Sequence, residues 1–357
     1  AGAITEGAGG NITANLLTGH SVGNATLDGN NHINILGSFS ADFSLTNGQT
    51  LTVEGPLDGG PSVALTTTAG DLIINGAVSG VTTTLTSAGA ISEGAGGSIT
   101  AGTLTGSSVG NINLLGTNQV AALGAFTSGG DFAFNNARTL TVSNAPSANG
   151  GAGNLTLTTT GAGSDLVLAS NLVGNTVTLG AGRNISQTAG AITATRLTGS
   201  STGSTMLNGA NRIGTLGNFT AASFALTNAQ SLVVTGSVDG GANATLTATT
   251  GDLAINGSVK GSTTTLVSAG TISEGAGGLL TAGTLTGSSA GSTTLNAANH
   301  VGTLGAFTTG GNFTFNNAQS LTVNNAPSAN AGAGNLTLTT TGASSDLTLA
   351  SNLTGNT

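Results

Sequence analysis

Apolar residues alternate with small polar ones along the whole chain. In "NLTLTTTGAGSDLVLAS", Leu155 and Leu157 alternate with Thr156 and Thr158, and Leu166 and Leu168 resume the pattern after a glycine turn. A period of two places one set of side chains on one face of a strand. Thr, Val and Ile favour strands, and glycine is too frequent here for helix interiors. The pattern predicts short β-strands throughout.

The strands recur at a fixed interval. An apolar-x-apolar pair has its second member at Leu27, Leu45, Leu65, Leu85, Leu114, Phe134, Leu157, Leu179, Leu207, Leu226, Leu246, Leu266, Leu295, Phe315 and Leu338. Most steps lie near 20 residues, and every fourth is 28 or 29. One such coil cannot bury its apolar face alone, whereas stacked coils bury a continuous column and pair each backbone with the next. The expected fold is therefore all-β: a single-stranded parallel β-helix, or β-solenoid. It would have about 15–16 coils of roughly 20–23 residues with a longer coil every fourth. Stacked at ~4.8 Å per coil, the array would span roughly 70 Å.

Longer periods lie above this one. "NAPSANGGAGNLTLTTTGAGSDLVLASNLVGNT" ends at Thr176 and "NAPSANAGAGNLTLTTTGASSDLTLASNLTGNT" at Thr357, an offset of 181. The expectation is one continuous array over 1–357 with a 181-residue super-repeat, about 1–180 and 181–357. Each super-repeat divides into two half-units of roughly 90 residues. The chain begins and ends in mid-phrase, so it is expected to be a segment of a longer array. The ten Phe residues cluster around the anchors at 45, 134, 226 and 315, which predicts periodic aromatic layers in an aliphatic core. Asn47, Asn135, Asn136, Asn208, Asn228, Asn296, Asn316 and Asn317 follow anchors and are expected to turn the chain and stack as amide ladders.

Composition narrows the function. Only 5% of residues are charged, against about 25% in ordinary globular chains. The net charge is −8 and the five basic residues are scattered, which excludes a phosphate-binding surface for nucleic acid. No Cys is present, so there is no disulfide frame or thiolate metal site. No apolar run reaches the ~18 residues of a membrane span.

Candidate chemistry is sparse. "ISEGAGG" at 91–97 has the glycines of a phosphate loop, but a strand-like segment follows it and no Lys is near. It reads as an enlarged turn in which Gly94, Gly96 and Gly97 supply backbone freedom. Glu6, Glu93 and Glu274 share one repeat position, where the third copy has Gln187; they read as a spaced row of surface charges. Asp71, Asp165, Asp252 and Asp346 share another position and read as turn caps. A Glu paired with a non-equivalent Asp stays open for acid–base work on a glycan. His32 and His300 alternate with Arg212 at one turn position, and with His20 they read as solvated residues. Thr precedes the anchor in many coils, yet complete Thr-x-Thr pairs flanking one of these anchors occur only at 84/86, 156/158, 245/247 and 337/339. Intervening coils separate those pairs, so no two-dimensional hydroxyl array is expected. No catalytic, cofactor-binding or metal-binding residue is assigned.

The phrases "GAISEGAGGSITAGTLTGSS", "LTNGQTLTVEGPLDGG" and "TTGDLAINGSVKGSTTTLVSAGTISEG" resemble the repeats of filamentous haemagglutinin-like exoproteins of Gram-negative bacteria, over the whole chain. The resemblance implies a right-handed β-helix, two-partner secretion to the cell surface or beyond, and a role in adhesion or biofilm. The expectation is a non-enzymatic structural repeat region of an adhesin or extracellular fibre, a rigid rod. Its partners would be neighbouring repeats of the same chain, copies joined end to end or laterally, and an unidentified host surface, matrix or glycan. Two rival readings are a surface binder of ice or carbohydrate and, further off, a polysaccharide lyase or hydrolase.

Overall fold

The computed structural model describes residues 2–325 and 327–356. Among these residues every strand pairing is parallel, and the only helical segments are two 3-10 turns at Asn149–Gly151 and Asn330–Gly332. The chain forms two compact units, Ala1–Arg183 and Asn184–Thr357. Their boundary lies close to that of the super-repeat.

Register shows each unit to be a β-solenoid. In the first, one column runs Ile4, Ala25, Phe43, Val63, Thr83, Leu104, Leu123, Val142 and Leu168. In the second, it runs Ile185, Thr205, Phe224, Ala244, Thr264, Leu285, Leu304, Val323 and Leu349. Each residue meets the one a coil later in sequence, so the whole sheet is built from one repeated local instruction.

A single coil shows why. Strands Ser62–Thr67 and Leu72–Ile74 and the start of Ala77–Ser87 make three straight runs. Val63, Leu65, Leu72, Ile74 and Val78 point inward and are buried, while Ser62, Ala64 and Thr66 face outward between coils. Removing one such Leu or Val side chain from water contributes about 1.5–3 kcal/mol. The backbone N–H and C=O groups point along the stack, where the neighbouring coils satisfy them.

The aromatic layers form as the spacing predicts. Phe39–Phe43, Phe126–Phe132, Phe219–Phe224 and Phe307–Phe313 pack with ring centroids 4.6, 5.3, 4.7 and 5.0 Å apart. Glycine makes room for them. A Cβ on Gly106 would lie 2.8 Å from Phe126 Cζ, and one on Gly287 would lie 2.8 Å from Phe307 Cε2.

This substitution corrects the expected coil lengths. Leu85 stacks on Gly106, and Gly106 on Phe126. The interval of 29 residues from Leu85 to Leu114 therefore is no enlarged coil. It contains an ordinary coil, Leu85 to Gly106, whose glycine anchor a search for apolar pairs passes over, and then a change of column, because Leu114 stacks on Phe134 and follows the Ile91–Glu93 strand. The longest steps are instead Val142 to Leu168 and Val323 to Leu349. There the "NAPSAN" segment and its 3-10 turn are inserted, once per super-repeat.

Leu155, Leu157, Leu166 and Leu168 are fully buried, and Leu155 and Leu157 have Val177 and Leu179 stacked on them. Their repeat equivalents at the last coil are open: Leu347 and Leu349 are 39% and 52% exposed.

Candidate functional site: a repeated glutamate–asparagine bracket

The most developed polar constellation is built on "ISEGAGG". Ile91 faces the core, and Glu93 follows it at the position held one coil earlier by Ile74. Glu93 is thus a carboxylate in a core-facing column. Its Oε2 accepts hydrogen bonds from the backbone N–H of Gly116 at 2.6 Å and from Asn118 Nδ2 at 3.0 Å. Asn118 is fully buried. Its Nδ2 also donates to Asn135 O, and its Oδ1 accepts from Ile99 N.

The bracket recurs. Glu6 Oε2 binds Gly29 N and Asn31 Nδ2, and Glu274 Oε2 binds Ala297 N and Asn299 Nδ2. Where the third copy has glutamine, Gln187 Oε1 accepts the same two bonds from Gly209 N and Asn211 Nδ2. Burial pushes the carboxyls of Glu93 and Glu274 above the usual glutamate range, and the two hydrogen bonds to each carboxylate oppose this only in part. In Glu6, Glu93 and Glu274 the other oxygen, Oε1, is buried with no protein donor. The expected row of surface charges is therefore replaced by half-buried groups that tie one coil to the next. The reason is the register, which puts the glutamate on the inner side of its strand.

The glycines beside it serve close approach. A Cβ on Gly94 would lie 2.1 Å from Asn75 Oδ1, and one on Gly97 would lie 2.2 Å from Ile74 O. The loop lies close against the preceding coil, so the enlarged turn expected here is not formed.

A second buried asparagine backs each bracket. Asn31, Asn118, Asn211 and Asn299 stack on Asn47, Asn136, Asn228 and Asn317. The strand bulges between Leu114 and Asn118 and at the equivalent points, which leaves a peptide without a ladder partner. The second Asn takes that place: Asn136 Oδ1 accepts from Val120 N, and its Nδ2 donates to Val120 O. Asn47 does the same for Ile33. The amide ladder is two rungs high and ends at Thr67 in the first copy. Of the other asparagines expected in it, Asn208 and Asn296 are exposed. Asn135 and Asn316 bond the carbonyls of Gly116 and Ala297 from the outer side. The sequence signal for the missed first rung was the Asn two residues before Ile33, Val120, Ile213 and Val301.

The aspartates bridge coils. Asp71 Oδ1 accepts from Ala90 N at 2.7 Å, and Asp252 Oδ1 accepts from Thr271 N and Oγ1. The Thr271 bonds hold the Asp252 carboxyl below its ordinary value. Asp165 pairs with Arg183, Nε to Oδ1 being 2.8 Å. Asp346 donates its backbone N–H to Ser320 Oγ. The local i to i+2 caps sit instead at Asp58 with Gly60 and at Asp239 with Gly241. Asp239 also holds Lys260 Nζ at 2.9 Å. His32, Arg212 and His300 occupy one register position, opposite Thr13, Thr193 and Thr281, and His20 ends the strand Thr13–His20. Asp28 lines the same shallow hollow as Glu6, but the equivalent residues are Leu115, Asn208 and Asn296.

The register overturns one further expectation. Ser62, Thr82 and Thr103 are adjacent on consecutive coils, as are Ala64, Thr84 and Thr105, and Thr66, Thr86 and Ser107. The hydroxyls of Thr84 and Thr105 are 3.1 Å apart. In the second unit Thr245, Thr265 and Thr286 align, with Thr265 and Thr286 hydroxyls 3.0 Å apart. A small two-dimensional hydroxyl patch therefore forms in each unit. The sequence search missed it because the coil carrying Thr103 and Thr105 is the one with a glycine anchor.

Among the described residues no group of three or more His, Asp or Glu is placed to hold a metal ion, and no helix is long and apolar enough to cross a membrane. No family model, curated protein or solved structure matches the chain.

Proposed function

We propose that this chain is a structural repeat region of a secreted or surface-displayed bacterial adhesin or extracellular fibre, a scaffold whose coils are the product. The β-solenoid made of near-identical repeats supports this reading, and so does the resemblance of its phrases to haemagglutinin-like exoproteins. The observation that carries it is the use of the polar groups. Glu93, Asn118, Asn136, Asp71 and Asp252 all bond neighbouring coils, so these repeated polar side chains serve to hold the stack.

Such a stack adds coils at its open faces. Leu347 and Leu349 are exposed where Leu166 and Leu168 are covered, and an unpaired strand edge is a template for another chain. The purified chain should associate end to end. Multi-angle light scattering from low to high micromolar concentration should show mass growing in whole-chain steps. A constant monomer mass across that range rejects the association.

The hydroxyl patches favour a second reading, a binder of ice or of an insoluble uncharged polysaccharide. Thermal hysteresis and co-sedimentation with cellulose or chitin test it. Neither signal, or signals unchanged in Thr84→Lys/Thr265→Lys, would remove it.

A further inference from the structure

Gln187 reveals what the glutamate site requires. Its Nε2 donates to Gly190 O at 3.0 Å and to Asn211 Oδ1 at 2.9 Å. Gly190 lies two residues before Ile192, as Gly97 lies two before Ile99 and Gly278 two before Leu280. Asn118 Oδ1 and Asn299 Oδ1 are held in the Asn211 orientation by the same bond, to Ile99 N and Leu280 N. The glutamate oxygen in the place of Gln187 Nε2 is Oε1, which is buried and reached by no donor. A site shaped to accept two N–H bonds from an amide presents oxygens, and an ionised oxygen facing oxygens is repelled.

We propose that Glu93 and Glu274 are proton-binding sites, each held in the fold as the neutral acid whose Oε1–H donates toward the glycine carbonyl and the asparagine Oδ1 that Gln187 uses. The proton makes glutamate the isostere of glutamine, and all brackets then close alike. Raising the pH removes it and sets a half-buried carboxylate against two acceptors, so the coil-to-coil tie loosens. The surroundings offer Glu93 no substitute for the proton. The strands packed on Ile91–Glu93 are Leu72–Ile74, Ala77–Ser87 and Ile112–Ser128, and none carries a charged side chain. Asn75, which lies against Gly94, donates to the carboxylate of Glu54. Around Ile272–Glu274 the packed strands are Leu253–Ile255, Ser258–Ser268 and Thr293–Thr309. They bring only Lys260, which is engaged with Asp239, and His300, which is exposed. Glu6 shares the bracket but has Asp28 on its hollow.

The sign follows from linkage. A group that binds its proton more tightly in the folded state contributes stability at low pH and loses it as the pH rises through the folded pKa. The window therefore opens above the ordinary glutamate value of about 4.3.

The full chain and its Glu93→Gln/Glu274→Gln variant should be unfolded in urea at pH 4 and pH 8. The expected midpoints coincide at pH 4, and at pH 8 the variant's midpoint is the higher. A variant midpoint at or below the parent's at pH 8 overturns the proposal. Calcium that raises the parent's pH 8 midpoint and leaves the variant unmoved also overturns it, because the site would then hold a cation. Carboxyl carbon NMR on the unaltered chain is independent of how the variant folds. Two glutamate carboxyls should titrate above the ordinary glutamate value of about 4.3; if none does, the proton is not held.

Discussion

Asn118 joins three coil segments through one amide. It is fully buried and ties Glu93, Asn135 and Ile99 to one amide. Replacing it with leucine keeps the branching and the number of side-chain heavy atoms but leaves the N–H of Ile99 and the carbonyl of Asn135 without partners. Each buried polar group orphaned in this way costs about 1–3 kcal/mol. Asn118→Leu should therefore lower stability in urea by at least that amount, whereas the exposed Asn208→Ala should stay within about 0.5 kcal/mol. Equal midpoints for the two variants reject the bracket as a structural tie. The asparagines were visible in the sequence as a recurring residue type, yet the partition into buried and exposed ones was not. Asn135 and Asn136 are neighbours in sequence, and strand alternation alone sends one outward and the other into the core.

At the scale of one coil, the pairing of glycine with phenylalanine decides the packing. Gly106 occupies an inward column position between Leu85 and Phe126, and the Phe126 ring fills the space its missing side chain leaves. Overfilling a packed core by a methyl group costs roughly 1–3 kcal/mol. Gly106→Ala or Gly287→Ala should lower the thermal midpoint measurably. Gly7→Ala, whose added Cβ meets nothing within 4 Å, should leave it nearly unchanged. A neutral Gly106→Ala would show that the ring and the Leu85 carbonyl, 2.0 Å from the added Cβ, both give way freely. The missing side chain also hides the coil that carries the hydroxyl patch, and with the change of column from Leu85 to Leu114 it makes that interval look like one long coil. A search for apolar pairs registers residues that fill a core position and cannot register one that leaves it for a neighbour.

For the molecule as a whole, stability in a stack of coils is close to a sum over neighbouring coils. The ties found here obey that locality: the Glu93–Asn118 bond spans 25 residues, and Asp71 reaches Ala90 across 19. The unit Ala1–Arg183 should therefore keep its β-sheet when expressed without the rest, with a far-UV circular dichroism spectrum of the same shape per residue as the full chain. A random-coil spectrum for that fragment defeats the nearest-neighbour account.

The sequence by itself determined the parallel solenoid, the super-repeat and the aromatic layers, because each follows from alternation and spacing that every copy restates. Leu155, Leu157, Leu166 and Leu168 could be assigned to the core from their order alone. The tertiary structure alone decided what Glu93 is. Its neighbours in sequence are glycines and small residues that place it on a loop, and only the stacking register puts it above Ile74 and beside Asn118. The charge state of that carboxyl depends on burial and on oxygens contributed by another coil. Periodicity carries the spacing of residues along a strand, but it does not carry the contact between strands that stacking creates.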